Sequence, residues 1–368
     1  MSSPTDLLAR LVGFPSVVGT PNGDIVGFIE GYLRDLGVPC HRIAGPEGDR
    51  WNLFATIGDP SVPGHILSGH VDVVPAGEAE WRADPFTLRT DGDRLIGRGA
   101  CDMKGFVAAV LATVPDLLRM RLSSPIHIAL SYDEEAGCRG VPHLIVALPD
   151  LCARPVGCFV GEPTGLVPVL AHKGKAALRL VAQGRSGHSS RPDLGVNAIH
   201  ALLPALQAAA AQAVALQGGP QDARFAPPWS SLQIGTVGGG QAVNIIPDRA
   251  EASLEARAIH GVDPKAILEP VVDAAGGLEV EWLSFYPALA LDRDHPLAAL
   301  AEAASGHTAL GAVSFGTEAG LYQAAGIPSI ICGPGDIARA HRPEEYLTRP
   351  ELEATGRMLR TLGERLSA

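Results

Sequence analysis

Residues 65–75 read HILSGHVDVVP, an apolar run that His70 and Asp72 interrupt in its last third. Extended backbone sends alternate side chains to opposite faces, so residues 70 and 72 project the same way, at a place where the chain should be leaving a sheet. Two readings compete. A core histidine can have its ring N–H satisfied by a nearby carboxylate. A metal-ligating imidazole also donates its second N–H to a carboxylate, which fixes tautomer and orientation. The pattern alone does not separate them; further ligands at equivalent places would.

A chain of 368 residues with 46% hydrophobic content exceeds what one core usually serves and predicts two domains. The formal charge of -11 leaves no basic field for phosphate backbones or anionic lipid, which turns the reading from nucleic acid and membrane surfaces toward a small-molecule partner. The N-terminus, with Ser3 ahead of Pro4 and an apolar stripe through LLARLV, predicts a capped helix rather than a signal peptide. No run reads as long and apolar enough to span a bilayer. The cysteines at 40, 101, 138, 152, 158 and 332 form no C-x-x-C pair, and so read as reduced thiols of a cytoplasmic protein, Cys101 as a packed, inert one.

From residue 1 to 173 short apolar strands (NLFATIG, GHILSGH, DRLIGRGA, IHIALSY, GCFVGEPT) alternate with helical stretches, and the pattern returns over 288–368. That is an α/β sheet domain with helices on both faces, discontinuous in sequence. Residues 174–287 carry a different order, β-α-β-β-α-β, the split arrangement of a ferredoxin-like α+β unit inserted as a lid or dimerisation domain. The chain's two crossings between these parts, near HKGK and YPAL, would be a hinge.

Polar groups follow several of the sheet strands: His70 after HILS, Asp102 after RLIGRGA, Glu134 and Glu135 after IHIALSY, Glu162 within GCFVGEPT, and His341 one loop beyond SIICGPG. Open α/β sheets bind ligands outside the carboxyl ends of their strands, so these groups can converge. Two histidines with several carboxylates suit divalent zinc, cobalt or manganese. One ion cannot use them all, but two can if a carboxylate, with Asp102 the candidate, bridges them. Adjacent side chains at 134 and 135 diverge, so one can ligate while the other faces substrate. A free carboxylate there can act as general base and then general acid in metal-assisted amide hydrolysis.

The segments SGHVDVVP, GRGACDMKG, SYDEEAGCRG, VGEPT, HKGKAALRL, GRSGHSSRPDLGVNAI and CGPGDIARAHRPEEY, taken together and in order, resemble the M20 metallopeptidases, most closely their acetylornithine deacetylase branch. The resemblance implies a zinc ion held by His70 and Glu162, a second held by Glu135 and His341, Asp102 bridging, Glu134 as general base, Asp72 orienting His70, and a cis peptide between Asp102 and Met103. Cobalt could replace zinc. It implies that His188 in SGHSS stabilises the oxyanion, reaching the site of a partner subunit in a homodimer built through the inserted domain. Asn244 and Arg257 would hold the substrate carboxylate, a task suited to a fork-shaped guanidinium. Glu318 in FGTEAG would recognise the substrate ammonium.

The expected reaction is removal of the acetyl group from N2-acetyl-L-ornithine, giving L-ornithine and acetate for arginine biosynthesis. Succinyl-diaminopimelate desuccinylase, a broader N-acyl amino acid amidohydrolase and a dipeptidase share the same metal centre. A fold that had lost its chemistry should lack a ligand or Glu134, and none is missing. A two-metal phosphoesterase should gather cations at the ions; Lys104, Lys173, Lys175 and Arg139 sit near the motifs, but the motif order argues against it.

Overall fold

A computed structural model of the chain describes residues 3–367. The chain forms two compact units, one of Met1–Ala171, Ala290–Ala312 and Thr317–Ala368, the other of His172–Leu289 and Val313–Gly316.

The first unit is built on a six-stranded sheet in the order Cys40–Ala44, Trp51–Ile57, Ile126–Ser131, His65–His70, Gly157–Pro163, Ser329–Gly333. The last four run parallel, and the Cys40–Ala44/Trp51–Ile57 pair is an antiparallel edge. Strands buried on both faces need continuous apolar sequence, and Ile126–Ser131 and Ser329–Gly333 are buried along their whole lengths. The helix Pro4–Val12 starts at the Ser3/Asp6 capping box that the N-terminal sequence foreshadowed. The helix Lys104–Leu117 is apolar nearly all round because it packs against the sheet as well as the helices Pro4–Val12 and Arg349–Arg365. Phe106, Val107, Val110 and Leu111 are fully buried there, each worth about 1.5–3 kcal/mol relative to exposure where the side chain is large. Its close approach requires glycine in two strands. A Cβ at Gly161 would lie 2.1 Å from the Phe106 ring, and one at Gly69 would lie 2.8 Å from Met103. Those glycines precede Glu162 and His70, so tight packing carries the start of this helix to the strands' carboxyl ends.

The second unit has strand–helix–strand–strand–helix–strand order, and its four-stranded antiparallel sheet runs Ser231–Gly239, Arg249–Ala258, Gly174–Gln183, Glu279–Tyr286. This is the ferredoxin-like arrangement expected for the insertion. Val313–Gly316 belongs to this unit because Val313 bridges to His172 and the Tyr286 ring lies where a Cβ on Gly316 would sit, 2.3 Å away. The segment 288–368 is therefore not a single piece of the sheet domain.

The helix Ala198–Ala215 packs Leu202, Ala205 and Ala209 onto this sheet. One sequence expectation is corrected here. With its short extension, Ala198–Gly218 is long and apolar enough to cross a bilayer by length and composition, with a mean hydropathy of 1.5. Its alanines raise the hydropathy of the whole stretch, while only one face is packed.

Candidate metal centre

Seven of the predicted site residues meet at the carboxyl ends of the parallel strands. His70 ends its strand, Glu162 lies in the neighbouring one, and Asp102 sits in the turn leading into the helix Lys104–Leu117. His70 Nε2 is 3.1 Å from Asp102 Oδ1 and 3.8 Å from Glu162 Oε1. His341 Nε2 is 3.3 Å from Asp102 Oδ2 and 2.9 Å from Glu135 Oε1. Each of the two groups offers one nitrogen and two carboxylate oxygens within 4.8 Å of one another. Asp102 thus turns one oxygen to each group. The Asp102–Met103 peptide is cis, as the resemblance implied.

The electrostatics make the same case. His70, Asp102 and Glu162 are at most 5% exposed. Burial pushes the Glu162 carboxyl well above its usual range, reinforced by the charges of Asp102 and Glu134. Burial likewise raises Glu135, with Asp102 adding to the effect. Glu134 is pushed up to about 8, by burial first and then by Glu135, Asp72 and Asp102, against the opposing pull of His70. His341, bonded to Asp102 and Glu135, is raised to about 10. Two buried acids, Asp102 and Glu162, and two half-buried ones, Glu134 and Glu135, gather around two imidazoles, and a nitrogen–oxygen donor set of this kind fits divalent cations.

Asp72 stands beside His70 and has a further contact that was not expected of it. The nearest acceptor to His70 Nδ1 is the backbone carbonyl of Asp72, at 2.9 Å, while its carboxylate lies 3.5 Å away. That carboxylate instead accepts the backbone N–H groups of Glu134 and Glu135, at 3.1 and 3.2 Å. It holds the acidic turn as well as standing beside the imidazole. Spacing could place residues 70 and 72 on one face but could not reveal that backbone donors from 62 and 63 residues downstream would converge there.

Two more anchors escaped the sequence reading. Asp133, in the left-handed region at φ 49°, accepts from the Gly19 N–H and from Arg50 Nη1, each at 2.7 Å. The Cys138 thiol donates to Glu134 Oε1 at 3.3 Å. The acidic run in SYDEEAGC was the one available signal for both.

Glu318 is corrected. It is 1% exposed, and its carboxylate accepts from the hydroxyls of Ser68 and Ser131, the latter at 2.7 Å. Ser68 and Ser131 lie on the paired strands that deliver His70, so Glu318 braces them from within and has no open face for a substrate ammonium. Tyr322, which the Ser68 hydroxyl reaches at 3.0 Å, completes the cluster.

The remaining predicted residues belong to the second unit. His188 accepts the Ser190 N–H on Nδ1 at 3.2 Å. Arg257 bonds Glu255 through Nε at 2.7 Å and the Tyr286 hydroxyl through Nη1 at 3.2 Å. Asn244 is exposed, and its carbonyl accepts from the Ser189 N–H at 3.1 Å. Of the cations weighed for phosphate chemistry, Lys104 donates to the Phe14 carbonyl at 2.8 Å and Lys173 to those of Pro227 and Trp229 at 2.9 and 2.6 Å. Lys175 pairs with Glu255 at 3.2 Å.

The sequence profile of Peptidase family M20/M25/M40 matches residues 66–365, which includes every residue of both ligand groups. The chain belongs to this family. Acetylornithine deacetylases from Edwardsiella ictaluri and Proteus mirabilis are 32% and 30% identical to it, over 97% and 98% of this chain and 96% and 95% of theirs. An M20 family metallo-carboxypeptidase from Sulfolobus solfataricus shares the fold, with a TM-score of 0.81 at 19% identity over 99% of both chains. As an M20 protein with full-length relatives of this kind, the chain is a metal-dependent amidohydrolase.

Proposed function

We propose that this M20 enzyme hydrolyses the acetyl amide of N2-acetyl-L-ornithine to L-ornithine and acetate, a step of arginine biosynthesis. The observation that carries the metal chemistry is Asp102, with one carboxylate oxygen on each ligand group. The substrate rests on deacetylase relatives that match nearly the whole chain. His70 and Glu162 would hold one zinc ion and Glu135 and His341 the other, with Asp102 shared; cobalt suits the same donors. Two such ions would supply Lewis acidity to the scissile carbonyl and the attacking water.

The protein's own part is proton transfer and positioning. Glu134 takes the proton from the attacking water and delivers it to the departing amine. Its raised affinity for protons suits both halves of that cycle. Asp72 fixes the backbone of Glu134, and the Cys138 thiol restrains one oxygen of its carboxylate. On the second unit, the Ser190 N–H and hydroxyl occupy Nδ1 of His188, at 3.2 and 2.8 Å, which leaves Nε2 to donate to the oxyanion. Arg257 and Asn244 would receive the substrate carboxylate.

A homodimer through this unit is part of the proposal. It is supported by the exposed edge strand Ser231–Gly239, by the unpacked face of the helix Ala198–Ala215 with Leu203 and Val214 exposed, and by a cavity of about 710 Å³ bordered by Ser189, Asn197, His200 and Gln241. The six free thiols suit a reducing cytoplasm.

The test is turnover of acetylornithine, succinyl-diaminopimelate and acetylmethionine by enzyme loaded with zinc or cobalt. Acetylornithine should give the highest kcat/KM. A higher value for either rival would reassign the substrate, and no hydrolysis of any would remove the deacetylase reading.

A further inference from the structure

Glu345 had no assigned task, yet it is 1% exposed and fully bonded within the first unit. Its Oε1 accepts the backbone N–H groups of Cys101 and Asp102, at 2.9 and 3.0 Å. Its Oε2 accepts from Arg98 Nη1 at 2.9 Å. Arg98, also 1% exposed, reaches the Arg342 carbonyl through Nη1 at 3.3 Å. Through Nη2 it reaches the Pro75 carbonyl at 3.2 Å and Glu78 Oε1 at 2.9 Å. Backbone pairing fixes the register: Tyr346 lies opposite Ile96, and the Gly97 N–H donates to the Glu345 carbonyl at 2.9 Å.

Two ligand-bearing loops therefore meet at one ion pair. The first, residues 97–102, ends in Asp102. The second, 341–345, begins with His341 and takes the left-handed conformation twice, at His341 (φ 58°) and Glu344 (φ 60°). A non-glycine backbone holds that conformation only where its surroundings over-determine it. We propose that Glu345, locked by Arg98, is a positioning residue that joins these loops and so sets the affinity of the metal position formed by Asp102, Glu135 and His341. This inference rests on the two-metal reading above. Glu345 stands behind both a shared ligand and the loop of His341, so the ion on His341 depends on it more than the ion on His70.

The test separates the two positions. Glu135→Gln leaves the His70 group as the intact one, and Glu162→Gln leaves the His341 group. Cobalt(II) is titrated calorimetrically into each, with and without Glu345→Gln. The amide keeps one acceptor oxygen, so either Arg98 or the two N–H groups must face an NH2. The Kd of the His341 group should rise about tenfold or more, in the range usual for residues that orient ligands, with a smaller rise at the His70 group. Equal losses at both groups, or none, overturn the proposal. If Glu345→Gln does not fold, Arg98→Lys keeps the charge but not the fork, and must weaken the two groups in the same order. Wild-type protein that binds fewer than two cobalt ions overturns the two-metal reading and this inference with it. Two ions in wild type, with Glu345→Gln unchanged, overturns this inference alone.

Discussion

Replacing Asp72 with asparagine is the sharpest probe of how the acidic turn is held. The side chain keeps its shape and one acceptor oxygen. The carboxylate accepts the N–H groups of Glu134 and Glu135 at 3.1 and 3.2 Å, and the amide can satisfy only one of them. A hydrogen bond to a charged acceptor contributes about 1.5–3 kcal/mol, and one is lost. At about 1.4 kcal/mol per factor of ten, the reacting geometry should lose roughly ten- to a hundredfold. The loss should divide by residue: displaced Glu134 lowers kcat, and displaced Glu135 weakens the ion shared with His341. The assay is steady-state deacetylation by the metal-loaded variant, together with calorimetric titration of both ions into apo protein. If Asp72 served only to orient His70, the ion on His70 alone would loosen. That pattern, or a kcat/KM within about threefold of wild type, would refute the backbone-anchoring argument.

Glu134→Ala should retain both metal ions while turnover falls by about 10²–10⁴, the usual worth of a general acid–base; near-normal activity would remove Glu134 from the reaction. Glu318→Gln should leave the preference for acetylornithine over acetylated neutral amino acids unchanged, since the carboxylate bonds Ser68 and Ser131 inside the core; a selective loss of acetylornithine turnover would restore the ammonium role. His127 supplies a pH prediction. Burial pushes its pKa down to about 4, with the Nδ1 bonded to Thr56 at 2.9 Å and Nε2 buried without a partner among the described residues. Below about 6.5 the unfolded chain takes up a proton that the folded ring resists, so this stability is full above that pH and is lost as pH falls toward 4, by about 3 kcal/mol. Urea unfolding at pH 7.5 and 5 should show a steeper acid loss in wild type than in His127→Gln; equal losses would contradict the linkage.

The placement of the site was legible because it depends on local periodicity and chain order. Alternation puts residues 70 and 72 on one face, and the four parallel strands send their carboxyl ends to one edge, where His70, Glu134, Glu135, Glu162 and His341 gather; Asp102 is the exception, since the strand before it, Arg94–Ile96, lies in a separate three-stranded sheet. The order of elements in the inserted unit was readable for the same reason: hydrophobic period and turn residues are properties of short segments.

What only the tertiary structure decided are the partners of each carboxylate. Glu318, Asp72 and Glu345 are alike in sequence as acids, yet one braces two serine hydroxyls and the others hold backbone N–H groups. A peptide N–H carries no residue identity, and the donors to Glu345 come from 243 and 244 residues earlier in the chain. Whether an acid meets solvent, a metal or a peptide is fixed by packing, because a buried carboxylate charge is costly without a partner.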